Sequence, residues 1–138
     1  MRVVVVEDDR NNALLLEKVL RRLGGYEVTA TDDPQELLRL VYGGDVTAVV
    51  MDVSLRDSVL DGVPMDGVAL TRALRADPRA AGVAVVLATA HAMRGDAERL
   101  LRASGADGYV AKPFTDLQAV VDAVRRGIEA RSHAGREV

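Results

Sequence analysis

The chain has 138 residues, 49% of them apolar and 28% charged, with a formal net charge of −3 and no cysteine. That length suits one domain with a proper core, and the composition is that of a folded globular protein rather than a disordered one. It excludes a disulfide framework, a thiolate metal site and a thiol nucleophile, and the slight acidity argues against nonspecific nucleic-acid binding.

Strand-like and helix-like segments alternate from the start. Arg2 to Val6 is an apolar run that enters Glu7-Asp8-Asp9. Asn11 to Leu23 places Leu15, Val19 and Leu23 at helical spacing, with Asp9 as the cap before it and Gly24-Gly25 as the stop. Tyr26 to Thr31 alternates as a short strand. Asp33-Pro34 then supplies a cap and a first-turn proline for a helix to Val41, ended by Gly43-Gly44. Thr47 to Asp52 is the next strand. Residues 53–66 show no clean period and are expected to form a long loop, in which Leu60-Asp61-Gly62-Val63 nearly duplicates Met65-Asp66-Gly67-Val68.

A helix resumes from Asp66 to Arg75, and Asp77-Pro78 marks its exit. Val83 to Thr89 is a strand. Asp96 is placed to cap a short helix to Ala103, stopped by Gly105, before the strand Gly108 to Lys112. Thr115 with Gln118 three residues later has the form of a capping box. The helix it opens carries Leu117, Val120, Val121, Val124 and Ile128 on one face. Residues 132–138 are polar and are expected to form a frayed tail, leaving residues 1–131 as the folded domain. Five strands and five helices in strict alternation predict an α/β fold, a doubly wound parallel sheet. No apolar stretch reaches the roughly 20 residues a membrane helix needs, and no signal-peptide layout opens the chain, so a cytoplasmic location without membrane contact is expected.

Three apolar runs end in chemistry-bearing residues: the first in Glu7 and Asp8, the third in Asp52, the last in Lys112. The fourth ends at Thr89. In an open parallel sheet these ends meet at one edge, where ligands bind. Carboxylates crowded there repel, and at least one keeps its proton unless a cation neutralises them. Mg²⁺ suits such a site, with few carboxylates and several waters. A cation, an ammonium and a hydroxyl around one carboxylate are what a phosphoryl group on that carboxylate requires, which makes Asp52 a nucleophile of the aspartyl-phosphate kind.

The ordered set Val6-Glu7-Asp8-Asp9, Met51-Asp52, Pro64-Met65-Asp66-Gly67, Ala88-Thr89-Ala90 and Tyr109-Val110-Ala111-Lys112-Pro113-Phe114 resembles the receiver domain of two-component response regulators, over residues 2 to 130. The stretch Ala90 to Asp96 is similar to that of stand-alone receivers. The resemblance implies a flavodoxin-like sheet of strand order 2-1-3-4-5. It implies that Asp52 accepts phosphate from a phosphohistidine on a histidine kinase or phosphotransfer protein. Asp8 and Asp52 would ligate Mg²⁺ directly, with the Ser54 backbone carbonyl, and Glu7 through water. Lys112, before a cis Pro113, would pair with the phosphoryl group. Thr89 and Tyr109 would move on phosphorylation, Ala90 would leave the site open, and His91 and Ser54 would set the phosphate lifetime. Such a protein catalyses only its own phosphorylation and dephosphorylation. As a monomer or weak dimer without a DNA-binding output domain, it acts on a downstream protein.

One departure is plain. In the family the Asp-Gly of the next helix follows the acceptor within about nine residues, whereas here the loop carries an insertion at about residues 55–65. Three alternatives compete with the switch. A phosphatase with an aspartyl-phosphate intermediate would want a second Asp two residues after the first, where Ser54 stands. A flavin module lacks aromatic residues to stack on the ring, with no Trp and one Phe. A receiver that has lost phosphorylation fits poorly with an intact set of site residues.

Overall fold

A computed structural model describes residues 1–90, 93 and 95–136. Five parallel strands form the sheet: β1 (Arg2–Val6), β2 (Glu27–Thr31), β3 (Val46–Asp52), β6 (Ala84–Thr89) and β7 (Gly108–Ala111), in the order β2-β1-β3-β6-β7. The helices are α1 (Arg10–Arg22), α2 (Pro34–Tyr42), α3 (Gly67–Ala76), α4 (Asp96–Ser104) and α5 (Leu117–Arg136). The order is the one expected from the family resemblance once the two short strands β4 (Val59–Leu60) and β5 (Val63–Pro64) are set aside. These two pair only with each other, antiparallel.

The sheet is buried on both faces, which is why its central strands read as continuous apolar runs rather than alternating ones. Successive side chains still point to opposite sides. Val3 and Val5 of β1 pack with Leu16 and Leu20 of α1 and Val121 and Val124 of α5. Val4 and Val6 pack with Leu37 of α2 and Leu70 and Leu74 of α3, alongside Met51 and Leu87. Two cores, one per face, hold the sheet between helix layers.

Four local expectations need correction. The segment after β3 is not wholly irregular: Asp61 and Gly62, at φ 51° and 80°, close the β4–β5 hairpin with the two positive φ values a type I′ turn requires. Helix α4 is preceded by Gly95 at its cap position, and Asp96 is its first residue, paired with Arg99 instead of capping. Helix α5 is capped by Asp116, whose Oδ1 accepts from the Ala119 N–H (3.1 Å), while Gln118 donates to Asp122, so Thr115 and Gln118 form no capping box. The same helix runs on to Arg136, through most of the segment expected to fray.

Candidate functional site

Register places the site. Val6 is level with Met51, so Glu7 and Asp52 follow side by side on adjacent strands. Asp52 is level with Ala88, and Thr89 with Ala111, which brings Thr89 and then Lys112 to the same edge. The Lys112 N–H donates to the Thr89 carbonyl (2.8 Å), and the Lys112–Pro113 peptide is cis. The strand order reverses between β1 and β3, so helices leave on opposite sides and a crevice opens at that point.

At the floor of the crevice lies Asp52, 3% exposed. Its Oδ1 accepts from the Lys112 ammonium (2.8 Å) and from the Ser54 N–H (3.0 Å). The same ammonium stands 3.0 Å from Oε1 of Glu7. That contact is an ion pair without hydrogen-bond geometry, and among the described residues the buried Oε1 has no hydrogen-bond partner. Oε2 of Glu7 accepts from the Asp9 N–H (3.2 Å). Asp8 faces the solvent side, where its Oδ2 accepts from the Arg56 N–H (2.7 Å). One carboxylate oxygen from each of Glu7, Asp8 and Asp52 lies within 4.8 Å of the other two.

The electrostatics follow from that crowding. Burial first, then the neighbouring Asp52, push Glu7 up to about 7, against the pull of Lys112 and the Asp9 N–H. Burial alone would raise Asp52 as well. The Glu7 carboxyl, Lys112 and the Ser54 N–H outweigh it and hold Asp52 below the ordinary carboxylate value. Lys112 is raised in spite of burial, because the two carboxylates favour its charged form. The crowding thus favours the protonated form of Glu7 and the charged forms of Asp52 and Lys112.

Do these residues fit a divalent ion? Three hard oxygen donors converge, and among the described residues one buried oxygen of Glu7 has no hydrogen-bond donor. That donor set suits Mg²⁺.

The site occupies a cavity of about 730 Å³. Its walls include residues that strand-end reasoning did not single out as part of the site: Asn12 of α1, Asp32 and Asp33 before α2, and Arg56 to Val59. The signal for Asp32 and Asp33 was present, since β2 also ends at this edge of the sheet. Arg56 to Val59 lie in the insertion, where no periodicity fixes position.

Other residues singled out from sequence sit where the strands deliver them. Thr89 is buried at the end of β6, and Ala90 beyond it is exposed. Ser54 is exposed beside Asp52. Tyr109 is 40% exposed and borders a groove of about 390 Å³ with Leu101, Ala119 and Ala123. His91 lies outside the described residues.

Comparison with known proteins agrees with the geometry. The sequence profile of the response regulator receiver domain matches residues 3–125. The chain is 31% identical over 115 residues to the chemotaxis protein CheY of Pseudomonas aeruginosa, covering 83% of this chain and 86% of that protein. It is 30% identical over 113 residues to the polar-differentiation response regulator DivK of Brucella ovis, covering 82% and 85%. Among solved structures, the receiver domain of a sensor histidine kinase from Pseudomonas aeruginosa matches with a TM-score of 0.75 at 31% identity, over 93% of this chain and 97% of that one. That structure has a magnesium ion coordinated in its active-site cleft.

Proposed function

Since this chain belongs to the response regulator receiver domain family of two-component signalling, we propose that it is a phosphorylation-dependent switch whose phosphoacceptor is Asp52. The observation that carries the reading is one carboxylate at the floor of a cavity, bonded to Lys112 at 2.8 Å, with Glu7 and Asp8 beside it.

The roles follow from the contacts. Lys112 and the Ser54 N–H both engage Oδ1 of Asp52, which leaves Oδ2 to attack. In the transfer a P–O bond forms to Asp52 as the P–N bond of a donor phosphohistidine breaks, and the imidazole leaves with the electron pair and takes up a proton. Glu7, Asp8, Asp52 and the Ser54 carbonyl would hold Mg²⁺, Glu7 through water. The ion's contribution is to neutralise the transferring phosphoryl oxygens and the carboxylates around them. Lys112 supplies a fixed positive charge to the same group, and Thr89 a hydroxyl.

Signalling then depends on Thr89 turning to the phosphoryl oxygen and Tyr109 following it inward. The groove beside Tyr109, between α4 and α5, is the face that would change. The output is a protein–protein contact, in keeping with the similarity to CheY and DivK. The same reading carries a cytoplasmic location, beside the kinase domains that would supply the phosphoryl group. Among the described residues no helix is long and apolar enough to cross a membrane.

Incubation with Mg²⁺ and acetyl phosphate, read by intact mass, tests the acceptor. One phosphate should be gained, and the gain should vanish in Asp52→Asn and on addition of a chelator. Equal labelling of Asp52→Asn would sink the assignment.

A further inference from the structure

The insertion after the acceptor strand is a built element. Leu55 and Leu60 are buried in the core beneath α2 and α3. The Met65 N–H donates to the Ser58 carbonyl (2.9 Å), and the Asp61-Gly62 turn closes the far end. The hairpin is therefore held from below and at both ends, which fixes what it presents outward. What it presents is valine: Val59 is 46% exposed and Val63 54%.

Val59 stands on the rim of the acceptor cavity beside Asp57 and Ser58. The same three residues border a second groove, of about 550 Å³, completed by Leu55, Pro64, Met65, Asp66 and Ala69. Acceptor cavity and second groove, apolar side chains edged by Asp57 and Asp66, thus share one wall. Asp52 lies almost wholly covered at the cavity floor, so a phosphoryl group carried on a protein histidine reaches it only when the donor's surface comes down onto the rim. A donor seated on that rim comes within reach of Val59, which stands on it. Rim charge selects its chemistry, since Asp9, Asp32, Asp33 and Asp57 surround the mouth against Arg56 on the hairpin side.

We propose that the Val59–Pro64 hairpin and the groove beside it form a docking ledge for the phosphodonor protein, which seats apolar side chains there and lays basic residues against the rim carboxylates. The proposal rests on the acceptor role of Asp52. It gives the insertion a task that the catalytic residues cannot perform, namely to tell one phosphohistidine protein from another.

Val63 and Pro64 are exposed and lie outside the acceptor cavity, so they can be changed without touching it. The histidine kinases of the source organism, purified singly and autophosphorylated with ATP, are presented to the unaltered chain, and the fastest donor is kept. Val63→Lys combined with Pro64→Lys is expected to slow transfer from that donor by at least about tenfold. Labelling by acetyl phosphate should stay within about twofold of the unaltered chain, as for surface substitutions generally. Val63→Ile with Pro64→Val keeps the surface apolar and should retain transfer. Undiminished transfer to the lysine variant overturns the proposal. So does an equal loss in both variants, and so does the absence of transfer to the unaltered chain from every one of these kinases and from every phosphotransfer protein of the organism phosphorylated by them. Failure of acetyl phosphate to label Asp52 in the unaltered chain would instead overturn the acceptor reading itself.

Discussion

A methyl group on Gly67 would stand 2.0 Å from the carbonyl oxygen of Asp52, 2.8 Å from its carbonyl carbon and 2.9 Å from Cα of Val53. All three atoms are backbone, so nothing flexible can yield. The close approach has a purpose visible in the hydrogen bonds, since the Gly67 N–H donates to the Val53 carbonyl (3.2 Å) and ties the start of α3 to the end of β3. Gly67→Ala must push α3 away from the strand that carries Asp52. Overpacking of this kind costs about 1–3 kcal/mol, and here the strain falls on the backbone that aims Asp52 and Ser54. A lower urea midpoint together with slower acetyl phosphate labelling is expected. An unchanged midpoint with full labelling would show that the helix start is freer than the contact implies.

Helix starts are where element-level reading succeeded and failed for identifiable reasons. Asp9, Asp33 and Asp66 each cap a helix through a side-chain oxygen, accepting from the N–H groups of Asn12, Gln35 and Ala69. At α5, Thr115 fits the pattern as well as Asp116 does, and sequence spacing cannot separate neighbours one residue apart. The structure gives the bond to Asp116, so Asp116→Ala should cost about 1 kcal/mol in urea unfolding and Thr115→Ala close to nothing. A larger loss for Thr115→Ala would reverse the assignment. The near-duplicate pair makes the same point more sharply. Asp61-Gly62 turns a hairpin, while Asp66-Gly67 opens a helix. The first is flanked by residues able to pair across it, Leu60 with Val63. Val68, Ala69 and Leu70 instead continue into a helical pattern. An Asp-Gly pair between apolar residues is a hairpin signal, but the search for periodicity over 53–66 passes over elements of two residues. The site's edge of the sheet was legible because each central strand is apolar and abruptly ended. The outer wall of the cavity was not, because register across an insertion is set by packing of Leu55 and Leu60 rather than by spacing.

At the scale of the whole molecule, the site is a source of instability that its ligand should relieve. Glu7 ordinarily titrates near 4.5 and is pushed up to about 7 in the folded chain, first by burial and then by Asp52. Between those two values the folded state holds a proton that the unfolded state has released. Stability of the metal-free protein must therefore fall as pH rises through that window, by about 3 kcal/mol. Asp52 acts with the opposite sign but elsewhere. Its lowered value contributes stability that is present above its ordinary 3.8 and lost only in more acidic solution, so it does not cancel the loss at neutral pH. Mg²⁺ held by the deprotonated cluster would stabilise the folded state by mass action, most strongly where Glu7 has lost its proton. Urea unfolding at about pH 5 and about pH 8, each with chelator and with Mg²⁺, measures both effects. With chelator the protein should be the less stable at the higher pH, Mg²⁺ should remove or reverse the difference, and Glu7→Gln should flatten the chelator series. A metal-free protein that gains stability across that interval would mean that Glu7 is already ionised in the fold. Lys112 alone would then suffice to neutralise the pair, and the argument for a cation from crowding would lose its main support.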